Sequence, residues 1–205
     1  MAKLDHIMYA VSNLQDGIDE VSKLTGVSAE FGGSHPGRGT CNALLSFGKD
    51  QYLEIIAPDR DQELANTLGQ ELLDHHFSGI RTWAVATTDF EAIQKTLSEF
   101  DYQTNTIDMS RTTPDGVQLS WSIMFVTGHV FGNFMPFFIN WFDSPHPSEA
   151  TPEGCSLIDF SVQLVENHAT FKTLMNALNI DIEVVEGPDG MRAVIDSPKG
   201  RVLLH

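Results

Sequence analysis

The chain has 205 residues, and 28 acidic against 12 basic side chains leave a formal net charge of −16. A surface this acidic repels phosphate backbones and anionic lipid, so neither nucleic acid nor a membrane surface is expected as a partner. Hydrophobic residues at 41% with charged residues at 20% are globular rather than disordered composition, enough for one large domain or two small ones.

The opening residues, MAKLDHIMYAVSNL, hold one Lys and an apolar stretch broken by Asp5 and His6, which is not the pattern of a secretory leader. Residues 4–11 read as a buried strand. Asn13 then caps a helix in which Leu14, Ile18, Val21 and Leu24 keep helical spacing, and Gly26 stops it. A Gly-rich loop is expected over 31–40 (FGGSHPGRGT). Strands follow over 42–47 and 51–56, separated by the turn Gly48-Lys49-Asp50. A connecting helix is predicted over 59–78, with Leu64, Leu68, Leu72 and Leu73 on one side. His75 and His76 at its end suit the helix dipole.

The order then repeats. A strand over 82–86 leads to a helix capped by Asp89, with Phe90, Ile93, Leu97 and Phe100 on one face. Residues 102–109 are extended, Pro114-Asp115-Gly116 is a strong turn signal, and strands follow over 118–125 and 137–141. The most apolar window, 131–142, is too short to cross a bilayer. Residues 143–154 (DSPHPSEATPEG) read as a link. A third pass gives a strand over 157–164, a helix over 167–178 and strands over 182–186, 191–195 and 201–204. The chain thus divides into three βαβββ-like units, near 4–57, 80–141 and 156–205, within one α+β domain spanning 1–205. Cys41 and Cys155 are too few for a disulfide framework and sit in no CxxC pair. They are expected as small buried apolar side chains of a cytoplasmic protein.

Three segments carry a resemblance. They are Gly32-Gly33-x-His35-Pro36-Gly37-Arg38-Gly39-Thr40-x-Asn42, then Ser110-Arg111 with Pro114-Asp115-Gly116 and Leu119-Ser120-Trp121, then Pro136-Phe137-Phe138-Ile139-x-Trp141 followed by His146-Pro147. With Leu4-Asp5-His6 and Tyr52-Leu53-Glu54, they resemble glyoxalase-like proteins of the vicinal oxygen chelate superfamily (glyoxalase, bleomycin resistance and dioxygenase types). The resemblance implies βαβββ modules curled into half-barrels around a cleft that holds a divalent metal. It also implies lyase, isomerase, dioxygenase or resistance-type binding functions, and fold alone does not choose among them.

His6 in the first strand and Glu54 in the last strand of the first unit would face one cleft on that fold. The resemblance makes both metal ligands, and imidazole with carboxylate suits Zn²⁺, Mn²⁺, Fe²⁺ or Ni²⁺. A complete site needs about three or four protein ligands. Aligning the second unit sets Thr82 opposite His6 and Asn140 opposite Glu54, both feeble ligands. His35 or His146 would have to complete the set, or the metal is absent.

His35, with an ordinary pKa near neutrality, suits proton transfer. Arg38 and Arg111 suit an anionic group in a chain with few cations. Thr40 and Asn42 would orient a carbonyl, and Trp121 belongs to an aromatic-rich wall. Glu54 is a ligand or, without metal, a base. Three functions stay open: a metal-assisted enzyme on a small oxygenated molecule, a metal-free small-molecule binding protein, or an oligomerising protein with an idle cleft. The odd third unit either packs outside the first two or pairs with a neighbour in a homodimer.

Overall fold

Strand β1 (Lys3–Ala10) leads to helix α1 (Leu14–Thr25) in this computed structural model, which describes residues 2–75, 78–113 and 116–205. Asn13 Oδ1 accepts the Asp16 amide at 3.2 Å, one of the helix-start donors that lack an intrahelical partner. Gly26, at φ +82°, turns its N–H back to the Ser22 carbonyl and ends the helix.

The Gly-rich segment is a hairpin rather than a loop. Strand β2 (Glu30–His35) pairs with β3 (Thr40–Ser46), Gly33 opposite Asn42 and His35 opposite Thr40. Strand β4 (Tyr52–Pro58) completes the first unit. The connecting helix α2 runs only over Leu68–His75. Residues 59–67 turn instead, because the Asp59 carboxylate accepts the Asp61 amide at 3.1 Å and Gln62 Nε2 at 2.7 Å. His76, the side chain of His75, and Pro114 and Asp115 of the expected turn lie outside the described residues.

The second unit contains β5 (Gly79–Ala86), α3 (Phe90–Ser98), β6 (Gln103–Thr112), β7 (Gln118–Thr127) and β8 (Phe137–Asn140). Asp89 caps α3 by accepting the Ala92 amide at 2.9 Å. The third contains β9 (Ser156–Leu164), α4 (His168–Ala177), β10 (Glu183–Glu186), β11 (Gly190–Ser197) and β12 (Gly200–Leu204).

The first two units share one eight-stranded sheet of order β2-β3-β4-β1-β5-β8-β7-β6. In each, the first and last strands run parallel, and antiparallel β1 and β5 join the halves. The sheet curls until its edge strands meet, where the Arg111 guanidinium of β6 donates to the Gly32 carbonyl of β2. The third unit keeps the element order of the other two but not their pairing. Its sheet runs β10-β9-β11-β12, with β10 beside β9 as a parallel neighbour. Helix α4 returns the chain next to the strand it left, a βαβ crossover, whereas α1 and α3 carry it to the far edge.

Successive residues of a strand face opposite sides of the sheet. Ile7, Leu53, Ile55, Trp83, Val85 and Phe138 face outward into a core with Val21, Ile93 and Leu97 of the helices. Phe160, Val162, Phe171 and Ile195 of the third unit belong to the same core. Trp83 meets Phe160 at 5.3 Å between ring centroids, and Phe131 meets Phe171 at 4.9 Å. The alternate residues are left to line the inner face. Among the described residues, no helix is long and apolar enough to cross a membrane.

Candidate functional site

The inner face of the curled sheet encloses a cavity of about 430 Å³. From the first unit, His6 and Met8 of β1, Thr40 and Asn42 of β3, and Tyr52 and Glu54 of β4 reach it. From the second, β5 offers Thr82, β6 Ile107, Met109 and Arg111, β7 Trp121, Ile123 and Phe125, and β8 Phe137 and Ile139. One wall is therefore polar and titratable, and the facing wall is largely apolar, with Arg81, Thr82, Arg111, His129 and Asn133 as its polar members.

Glu54 is the hub of the polar wall and is 5% exposed. Its Oε1 accepts Asn42 Nδ2 at 2.7 Å and stands 3.8 Å from His35 Nε2, while its Oε2 is 3.5 Å from His6 Nε2. The carboxylate fixes the Asn42 amide with its NH2 toward Glu54, since the flipped amide would oppose oxygen to oxygen. The same NH2 lies 3.3 Å from His35 Nε2, and His35 Nδ1 lies 2.9 Å from Thr40 Oγ1. Nε2 of His35 is thus an acceptor and Nδ1 the donor. Burial lowers the His35 pKa, with the Glu54 charge opposing and the Arg111 charge adding, so the ring is neutral near pH 7. Burial likewise lowers the Arg111 pKa against the pull of Tyr52 and Glu54, yet a guanidinium stays charged. Burial and the charges of Asp5 and Glu54 push the Tyr52 phenol well above its ordinary value, so it is neutral.

The glycines of the first motif clear space for these groups. A methyl at Gly32 would stand 2.5 Å from Asn42 Oδ1, and one at Gly33, where φ is +136°, 3.1 Å from Arg111 Nη1.

The donor set does not fit a resident metal. The Asn42 NH2 already sits between Glu54 and His35, where a cation would have to lie. The second unit sets Thr82, Phe137 and Ile139 on the cavity wall and no imidazole or carboxylate at those strand positions. Among the described residues, no group of three or more His, Cys, Asp or Glu is arranged to hold an ion.

His6, His35, Arg38, Thr40, Asn42, Glu54, Arg111 and Trp121 all line the cavity, with Arg38 exposed at its rim. Asn140 and His146 do not. Phe137 and Ile139 take the inward positions of β8, so Asn140 falls on the other face and accepts the Phe142 amide at 3.0 Å. The expected alignment of Asn140 with Glu54 is therefore off by an odd number of residues, which exchanges the faces of a strand. His146 reaches Asp5 from behind the cavity, Nε2 to Oδ2 at 3.1 Å. Asp5 is the residue that sequence reasoning missed. It is 0% exposed and accepts from His6 Nδ1 at 2.6 Å, Trp141 Nε1 at 3.0 Å and His146 Nε2 at 3.1 Å. A charge inside an otherwise apolar strand was the available signal.

A curled sheet of paired βαβββ units with a buried polar cluster on its inner face defines a protein of the vicinal oxygen chelate type. Within that class, the chain belongs to the glyoxalase-like domain family, which matches residues 4–177. A hypothetical protein from Staphylococcus aureus superposes with a TM-score of 0.68 at 18% identity, covering 99% of this chain and 84% of that one. Methylmalonyl-CoA epimerase from Mycobacterium tuberculosis matches with a TM-score of 0.50 at 20% identity, over 72% of this chain and 90% of that one. A variant of the Streptomyces coelicolor methylmalonyl-CoA epimerase, in complex with 2-nitronate-propionyl-CoA, matches with a TM-score of 0.50 at 17% identity, over 70% of this chain and 97% of that one. At these identities the likeness speaks for the fold alone. No curated protein matches the sequence.

Proposed function

We propose that this cavity binds a small molecule with an oxygen-rich head and an apolar tail, and that Glu54 moves a proton beside a carbonyl of that head. The observation that carries the reading is the buried Glu54 carboxylate facing the cavity between two histidines and an amide donor. A carboxylate in such surroundings can act as a general base, and neutral His35 can carry a proton beside it. Arg111, itself buried, supplies a fixed positive charge where an enolate oxygen would develop. The wall of Trp121, Phe125, Phe137 and Ile139 favours an aromatic or aliphatic tail. Exposed Arg38 at the rim favours an anionic head in a chain with few other cations. The fold neighbours named as methylmalonyl-CoA epimerases support a small-molecule site on this sheet, and the reading uses no metal-bound step.

The test is proton exchange in D2O with mandelate, phenylpyruvate and 2-hydroxyacetophenone, followed by the ¹H NMR signal next to the carbonyl. At least one probe should lose that proton faster with protein than without, and Glu54→Gln should abolish the gain. Probes that raise the melting temperature without exchange would overturn the chemistry and leave a binding protein. Probes that do neither would overturn both parts.

A further inference from the structure

Asp5 lies behind the cavity wall rather than on it, and each of its oxygens has a defined donor. Trp141 Nε1 can only donate, and it lies 3.0 Å from Oδ2. His146 Nε2 lies 3.1 Å from the same oxygen. The Ser148 amide donates to His146 Nδ1 at 3.2 Å, which leaves Nε2 as the protonated nitrogen of that ring. Ser148 is itself anchored, since its Oγ accepts the Asp50 amide at 3.0 Å. Oδ1 of Asp5 is left for His6 Nδ1 at 2.6 Å, and against a carboxylate that nitrogen must carry a hydrogen. The ring plane of His6 is held as well, stacked on Tyr52 at 4.6 Å and 21° and edged by Phe137 at 5.5 Å.

We propose that Asp5, clamped by Trp141 and His146, is a positioning residue that pins a hydrogen on His6 Nδ1 and turns Nε2 toward Glu54. The use of Nε2, to pass on the proton Glu54 handles, rests on the function proposed above; the lock does not. Orienting carboxylates serve the same end wherever an imidazole must present one particular nitrogen.

The test is ¹⁵N NMR of the imidazoles in the ligand-free protein at neutral pH, with His6 assigned by His6→Gln. Native His6 should show a protonated Nδ1 with a downfield, exchange-protected proton. In Asp5→Asn, Trp141 should hold the amide oxygen and leave the NH2 facing Nδ1, which forces His6 to the Nε2–H tautomer. Native His6 found with a bare Nδ1, or a protonation at Nδ1 indifferent to Asp5→Asn, would overturn the proposal. The native spectrum alone decides the point if the variant does not fold. Where a probe exchanges, Asp5→Asn should lower its turnover at least about tenfold at unchanged KM. Absence of exchange for every probe sinks the functional reading, while the tautomer result still stands or falls by itself.

Discussion

The replacement Asp5→Asn makes a quantitative test of how a fully buried carboxylate is kept charged. Burial raises the Asp5 pKa, but hydrogen bonds from His146 and His6, together with their charges, outweigh it and hold the group at about 2 against an ordinary 3.8. A pKa lower in the folded chain than in the unfolded one means stability that is fully present above the unfolded value. It is lost as the pH falls through the folded value. At about 1.4 kcal/mol per pH unit, the difference corresponds to roughly 2 kcal/mol. The amide substitution removes that contribution at neutral pH. Urea unfolding at pH 7, 5, 3 and 2 should therefore show a gap between native and variant chains that persists down to pH 5. Below about pH 4 it should narrow by roughly 2 kcal/mol. For a chain of this size that is a change of about 4–8 °C in the melting-temperature difference. A gap of equal size at pH 7 and pH 2 would refute the argument, because it would mean that the ionised form of Asp5 contributes nothing.

Three further outcomes are expected. Phe171→Ala should cost about 3–5 kcal/mol in urea unfolding, since Phe171 is fully buried in the core that the third unit shares with the sheet; a loss under about 1 kcal/mol would mean the site collapses freely. Gly69→Ala should cost about 1–3 kcal/mol and lower the melting temperature, because its Cβ would overlap the Gly39 carbonyl oxygen and force α2 away from the hairpin. An unchanged melting temperature would show that this backbone approach is loose. Cys41 should alkylate roughly a hundredfold more slowly than an ordinary thiol at pH 8, because burial and the charges of Asp59 and Asp61 push its pKa up to about 11. Labelling at the rate of a free peptide thiol would contradict it.

Much of the cavity was legible one residue at a time. His6, Glu54, His35, Asn42 and Arg111 all lie on its wall; strand alternation sets the direction of His6 and Glu54, whereas His35, Asn42 and Arg111 were marked only by residue type within the motif segments. Glu54 sits between Leu53 and Ile55, which both turn outward, so alternation alone sends it inward. Asn140 failed for the same reason. Its inward reading came from aligning two units, and an offset of an odd number of residues reverses a strand. Asp5 was not legible, since its three partners lie one, 136 and 141 residues away and no local pattern joins them.

The sequence by itself determined the acidic surface, the helix ends at Asn13, Gly26 and Asp89, and which side chains of most strands share a face. Each of these depends on groups within a few residues of one another, so a local reading suffices. Tertiary structure alone decided which strand pairs with which. The third unit has the same element order as the first two, yet β10 lies beside β9, because pairing is settled by the apolar area that whole elements bury together. The same long-range packing brought Trp141 and His146 to Asp5 and placed the Asn42 amide between Glu54 and His35. Those contacts join a set of candidate ligands into one hydrogen-bonded polar cluster behind and on the cavity wall.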